Sequence, residues 1–180
     1  MQRQLQLCRE ALVQLKAGSG GAARPLPVCT QLAQQLQGWH STRPDVQLLR
    51  HGLTEGGPLL ALDARFWPAF FNLLNNAADA AGEAVSGGRE VALTVAVEPG
   101  WLRLETHNRH GRLSAAQLQH AGLAPLDSAK PAGLGLGVLL SHATLSQLGG
   151  ELKLDNDAAG GVRATLRLPL DGADADTADH

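Results

Sequence analysis

Three asparagines within five residues, Asn72, Asn75 and Asn76, are followed closely by Asp79 in a stretch whose apolar residues recur at helical spacing. On a helix, Asn72, Asn76 and Asp79 fall at i, i+4 and i+7 and form a polar stripe, while Phe70, Leu73, Leu74, Ala77 and Ala81 face a core. Asparagine is a poor helix former, so the cluster carries a propensity cost. A solvated helix face would accommodate such a stripe with no function at all. The chemical alternative is a set of uncharged oxygen donors aimed at a hard divalent cation, itself held between phosphate oxygens.

A second cluster, Gly133-Leu134-Gly135-Leu136-Gly137-Val138, leads directly into a helical pattern. Glycines at that place let the backbone approach a phosphate, and the N–H groups of the helix start supply donors and a favourable dipole. A helix-start turn with no ligand also uses glycine, so this signal is weak alone. Two nucleotide motifs are excluded. The spacing is not G-x-G-x-x-G after a strand, and no G-x-x-x-x-G-K-[ST] occurs in the chain.

The elements that must position these residues follow from periodicity and turn residues. Gln4 to Lys16, with Leu5, Cys8, Leu12 and Leu15 at helical spacing, is predicted as an N-terminal helix, followed by a Gly- and Pro-rich linker over 17–27. A helix from Val28 to about Trp39 and short strands at Val46 to Leu53 and Leu59 to Leu62 come next, then the long helix that carries the asparagines, with Asp63 as its cap. Pro68 has to fall in the first turn of that helix. Glu90 to Val97 and Trp101 to Thr106 alternate apolar and polar residues around Glu98-Pro99-Gly100 and predict a hairpin. Asn108 to Ala132 reads as a long functional loop with a short helix at Ser114 to His120. Val138 to Leu148 is predicted helical and closed by Gly149-Gly150, and strands at Glu151 to Asp155 and Val162 to Leu168 finish the fold. The expected class is a two-layer α/β sandwich, a mixed, mostly antiparallel sheet with helices on one face, spanning 28–170. The acidic tail 171–180 is expected to be disordered.

Composition removes several function classes. A formal charge of −2, from 15 basic and 17 acidic residues, leaves no electrostatic footprint for nucleic acid. Aromatic residues make up 3% and tyrosine is absent, which argues against a base-stacking surface. No apolar run reaches the roughly 18 residues of a membrane span, so a soluble chain is expected. Cys8 and Cys29 lie far apart without further ligands, and reduced thiols are the plain reading.

Together the two clusters are far more specific than either alone. Asn72-Leu73-Leu74-Asn75-Asn76-Ala77 resembles the N box of sensor histidine kinases, Gly133 to Gly137 resembles their second glycine box, and Pro125 to Lys130 is similar to their F box and lid end, with Leu126 in place of the usual Phe. The Gly-Leu-Gly-Leu-Gly-Val run is similar to that of redox-responsive sensors of the RegB/PrrB type. The resemblance covers roughly 26–170 and implies a Bergerat-type ATP site of the GHKL superfamily. By it, Asn76 would bind Mg²⁺, Asn72 would sit beside the phosphates, and Lys130 would reach the γ-phosphate. The amides of Gly133, Leu134, Gly135, Leu136 and Gly137 would cradle the phosphates, and Asp79, Ala80, Asn108 and His110 would complete the ATP-binding set. Related ATPases carry glutamate at the position of Asn72 to activate water. Asparagine cannot serve as that base, which suits transfer to a protein nucleophile better than hydrolysis.

The chain departs from that pattern twice. The family's first glycine box, Asp-x-Gly-x-Gly, is matched by Asn108-Arg109-His110-Gly111-Arg112, so an amide replaces the adenine-accepting carboxylate and side chains stand where a turn could require positive φ. A one-residue shift would put His107 at the Asp position instead. No histidine is followed by an acidic residue, as the family's phosphoacceptor is. Residues 1–16 resemble the end of the second dimerisation helix, which places the acceptor hairpin outside this chain. The implied partners are that hairpin, a response regulator and a second copy of the chain, and the implied location is the cytoplasmic side of an inner-membrane sensor. The competing reading is a kinase-like module that has lost productive ATP binding and serves in docking.

Overall fold

The computed structural model describes residues 25–53, 57–81, 89–122 and 136–170. The expected N-terminal helix, most of the 17–27 linker and the acidic tail lie outside these residues. In chain order the elements are β1 (Leu26–Pro27), α1 (Val28–Thr42), β2 (Val46–His51), β3 (Leu59–Leu60), α2 (Phe66–Ala81), β4 (Arg89–Glu98), β5 (Trp101–Asn108), α3 (Ala115–His120), α4 (Leu136–Gln147), β6 (Glu151–Asn156) and β7 (Val162–Pro169). Five strands form one sheet in the order β2-β4-β5-β7-β6. The β2 to β4 pairing is parallel and the other three are antiparallel. This is the mixed, mostly antiparallel α/β sandwich that the alternation of elements predicts.

Helix α1 buries Val28, Cys29, Leu32, Leu36 and Trp39, one stripe at helical spacing. No side chain caps its start; instead the Val28 N–H donates to the Pro58 carbonyl at 3.0 Å, so the chain beside β3 satisfies a donor the helix leaves open. The two-residue ladder of β1 with β3 holds that junction, a pairing too short to be visible as periodicity.

Helix α2 starts at Phe66, three residues after the expected cap. Asp63 still organises the start: its Oδ1 accepts the Arg65 N–H at 2.8 Å, its carbonyl accepts the Phe66 N–H at 3.0 Å, and both its carboxylate oxygens receive the Arg65 guanidinium. Pro68 is the third helical residue, where its missing N–H has no intrahelical partner to lose. Phe66, Ala69, Phe70, Leu73, Leu74, Ala77, Ala78 and Ala81 are buried, and the alanines let the helix lie close on β4 and β5.

In the β4 to β5 hairpin the alternation reads directly onto the layers. Val91, Leu93 and Val95 of β4 and Leu102 and Leu104 of β5 are buried under the helices. The opposite face carries a chain of charges across four strands, β4, β5, β7 and β6: Arg163 joins Asp157 and, at 3.1 Å, Glu105; Arg103 reaches Glu105 at 3.0 Å and Glu98 at 2.7 Å; Arg167 reaches Glu98 at 3.2 Å and Glu151 at 3.5 Å. Arg167 also lies over the Trp101 ring, 4.8 Å from its centroid. Among the described residues, α1, α2 and the helix Leu136–Gln147 pack on the other face, over the core.

Among the described residues, three carboxylates sit below their usual range. Asp45 is lowered first by its hydrogen bond from Arg43, Asp63 by that from Arg65, and Asp157 by the Ala159 N–H and then the Arg163 charge. Each titrates lower in the folded chain than in the unfolded one. Their stabilisation is therefore complete above the ordinary carboxylate value of about 4 and is lost as the pH falls through the folded-state values. The melting temperature is expected to hold between pH 7 and 5 and to fall on acidification below about pH 4; a melting temperature unchanged down to pH 3 would count against these ion pairs.

Candidate nucleotide site

The polar stripe of α2 meets the start of α4. A Cβ placed on Gly137 would stand 3.7 Å from Asn76 Nδ2 and 4.0 Å from Asn72 Cγ, so the glycine brings the α4 backbone against both carboxamides. Asn76 is exposed and Asn72 half-buried. The two helices pack along each other, and the buried Ser141 hydroxyl donates to the Ala69 carbonyl at 3.0 Å, which fixes their register. Leu136 and Gly137 open α4, where backbone N–H groups have no helical acceptor and the dipole favours an anion. Gly133, Leu134, Gly135 and Lys130, like the rest of the expected lid, lie outside the described residues. The chain leaves the described part at Gly122, against which the His142 ring packs.

The other two polar residues of this stretch, Asn75 and Asp79, point elsewhere. Asn75 Oδ1 accepts the Trp39 indole N–H at 2.9 Å and Arg43 Nη1 at 3.4 Å, tying α2 to the end of α1. Asp79 receives the same Arg43 at 3.1 Å and Arg89 at 3.8 Å, so its carboxylate faces the cation cluster at the α1 and β4 ends. Ala80 is half-buried four residues after Asn76. Of the asparagine cluster, Asn72 and Asn76 face the helix start and Asn75 holds the fold.

Strand β5 turns the two residues offered for the first position of the glycine box to opposite faces of the sheet. Leu102, Leu104, Thr106 and Asn108 face the helical layer, each 2% exposed or less. His107 faces the other way, with Nε2 3.2 Å from the Gly160 carbonyl. Asn108 donates its amide N–H to the His110 carbonyl, which orients the carboxamide. The positive φ of this turn falls on Gly111, at 80°, and no described residue other than glycine has positive φ. His110 and Arg112 therefore carry side chains without backbone strain, contrary to the concern raised by the missing glycines. The loop beyond is pinned: Asn156 accepts the Leu113 N–H at 2.8 Å and donates to the Leu113 carbonyl at 2.7 Å, and a Ser114 and Gln117 capping box starts α3.

The turn before β7 packs against the end of β5, a contact that residue spacing does not reveal. Gly161 has φ 87°, and a Cβ there would lie 1.7 Å from the Asn108 carbonyl oxygen. The Gly160-Gly161 pair was visible in the sequence, but its closeness to Asn108 was not.

The donor set fits a magnesium nucleotide. Asn72 and Asn76 offer neutral oxygens suited to a hard cation already ligated by phosphates, and the absent Gly137 side chain leaves space beside them. The profile of the histidine kinase-, DNA gyrase B- and HSP90-like ATPases matches residues 63–172. The chain belongs to that family. Among solved structures, a mycobacterial sensor histidine kinase, MprB, superposes with a TM-score of 0.63 at 19% identity, covering 82% of this chain and 97% of that one. The catalytic domain of histidine kinase ThkA, nucleotide-free, gives 0.62 at 16% identity over 80% of this chain and 93% of that one. Full-length ShkA in complex with AMPPNP gives 0.64 at 16% identity, covering 88% of this chain and 34% of that larger one. At these identities the likeness establishes the shared fold, that of histidine kinase catalytic domains. No curated protein matches the chain in sequence.

Proposed function

We propose that this chain is the ATP-binding catalytic domain of a two-component sensor histidine kinase, which holds Mg·ATP and delivers the γ-phosphoryl group to a histidine on a separate dimerisation hairpin. The observation that carries this reading is the meeting of Asn72 and Asn76 with Gly137 at the start of α4, in a chain of the histidine kinase-, DNA gyrase B- and HSP90-like ATPase family. Bound Mg²⁺ would neutralise charge on the phosphate oxygens. The protein's own part is positioning: Asn76 supplies a cation ligand, Asn72 lies beside the phosphates, the α4 amides donate to them, and Lys130 adds a positive charge from the lid. Asn72 cannot take a proton from water, so the γ-phosphoryl group is kept for a protein acceptor. A response regulator would then receive it, and the domain would work on the cytoplasmic side of its parent sensor.

The docking-module reading draws support from Asn108, a neutral residue whose amide is already engaged by His110. Calorimetric titration with ADP and a non-hydrolysable ATP analogue, with and without Mg²⁺, separates the two. Magnesium-dependent heat is expected, whereas none at millimolar nucleotide would leave only the module. Asn108→Asp is expected to act in opposite directions on binding and stability. A carboxylate accepts more strongly than a carboxamide, tightening ADP several-fold, while losing the tie to His110 costs the unliganded fold about 1 kcal/mol or more. An Asn108→Asp protein with unchanged affinity would remove this residue from the base contact.

A further inference from the structure

On the inner face of β5, Leu102 and Leu104 are ordinary core residues, but Thr106 is not. It is 1% exposed, and its Oγ1 is buried with no hydrogen-bond partner among the described residues. Its neighbours across the sheet are Leu93 on β4 and Ala164 on β7, neither of which offers a polar side chain. A buried hydroxyl left without a partner carries a desolvation cost with no return. Valine has the same shape without that cost, so packing alone gives no reason for threonine.

The position of Thr106 supplies a reason. It shares its face with Asn108, two residues and about 7 Å further along the strand. The small Ala164 beside it limits crowding over the hydroxyl. The inner face of β5 therefore turns from apolar to polar at Thr106 and stays polar up to Asn108. The geometry points to Thr106 as a second base-facing residue of the nucleotide site, its hydroxyl completing its hydrogen bonding with the edge of the bound purine, directly or through one bridging water. This inference rests on the nucleotide-binding reading and extends it from the phosphates to the base.

Parent, Thr106→Val and Thr106→Ser are each titrated with Mg·ADP and Mg·GDP and melted without ligand. Valine is expected to hold or raise the unliganded melting temperature, since an orphaned hydroxyl has gone. The same change is expected to weaken ADP about three- to tenfold, the worth of one ordinary hydrogen bond, and to narrow the preference for ADP over GDP. Serine, which keeps the hydroxyl, should restore both affinity and preference. A valine variant that binds ADP like the parent with the same preference overturns the inference and leaves the nucleotide reading standing. So does one that melts lower and loses affinity for both nucleotides equally, the mark of a packing residue. A parent that binds neither nucleotide sinks the nucleotide reading and this inference with it.

Discussion

Asn76→Ala is expected to abolish magnesium-dependent nucleotide binding while leaving the fold as stable as the parent. Asn76 is exposed on α2, so no core contact is lost, and alanine is the better helix former by about 0.5 kcal/mol. Its carboxamide stands against Gly137 at the start of α4, and under the proposed function it would supply a ligand to the cation. Loss of an outer-shell partner alone costs a metal site about ten- to a hundredfold in affinity, and a direct ligand should cost at least the upper figure. Titration of the variant with ADP should show weak binding that no longer responds to Mg²⁺, alongside an unchanged melting curve. Parent-like binding in the presence of Mg²⁺ would take Asn76 out of the site.

The second large effect is expected at Gly161, where alanine has no acceptable place. The backbone there has φ 87°, which strains any side chain, and the new Cβ would lie 1.7 Å from the Asn108 carbonyl oxygen and 2.7 Å from its carbon. Side-chain rotation relieves nothing, because both partners are backbone; β5 and β7 have to part at their paired ends, Asn108 and Val162. A left-handed non-glycine residue costs about 1 to 3 kcal/mol by itself, and the clash should carry Gly161→Ala beyond that. Gly160→Ala is the control: its φ of 107° brings the same strain, but its nearest neighbour is 3.4 Å away. Urea unfolding should rank Gly161→Ala clearly below Gly160→Ala, and ADP affinity should fall with it, since Asn108 moves. Equal stability of the two would show that the strand ends separate freely.

The order and kind of the larger elements were legible without any structure, because they rest on local periodicity. The 3.6-residue recurrence from Phe66 to Ala81 and the alternation on both sides of Pro99-Gly100 survive in the fold with ends moved by a few residues. The ladder of Leu26–Pro27 with Leu59–Leu60 escaped notice, since two residues are too few to show a period. At the start of α2 the sequence places the cap at Asp63, but the turn this residue makes with Arg65 delays the helix to Phe66 and leaves Asp63 ahead of the cap position.

What the sequence alone determined is the family-like set of residue types in order, an asparagine stripe followed by a glycine-rich helix start, and a fold class able to carry them. Which members of that set face one another was decided only in three dimensions. Asn72 and Asn76 meet Gly137 from far along the chain, whereas Asn75 and Asp79, on the same helix, are taken by Trp39 and Arg43. Asn108 rather than His107 faces the helices because pairing with β4 and β7 sets the register of β5, and a one-residue shift reverses every side chain. Spacing records which residues share a face of one element; the partner of that face is chosen by packing among elements that the spacing does not mention.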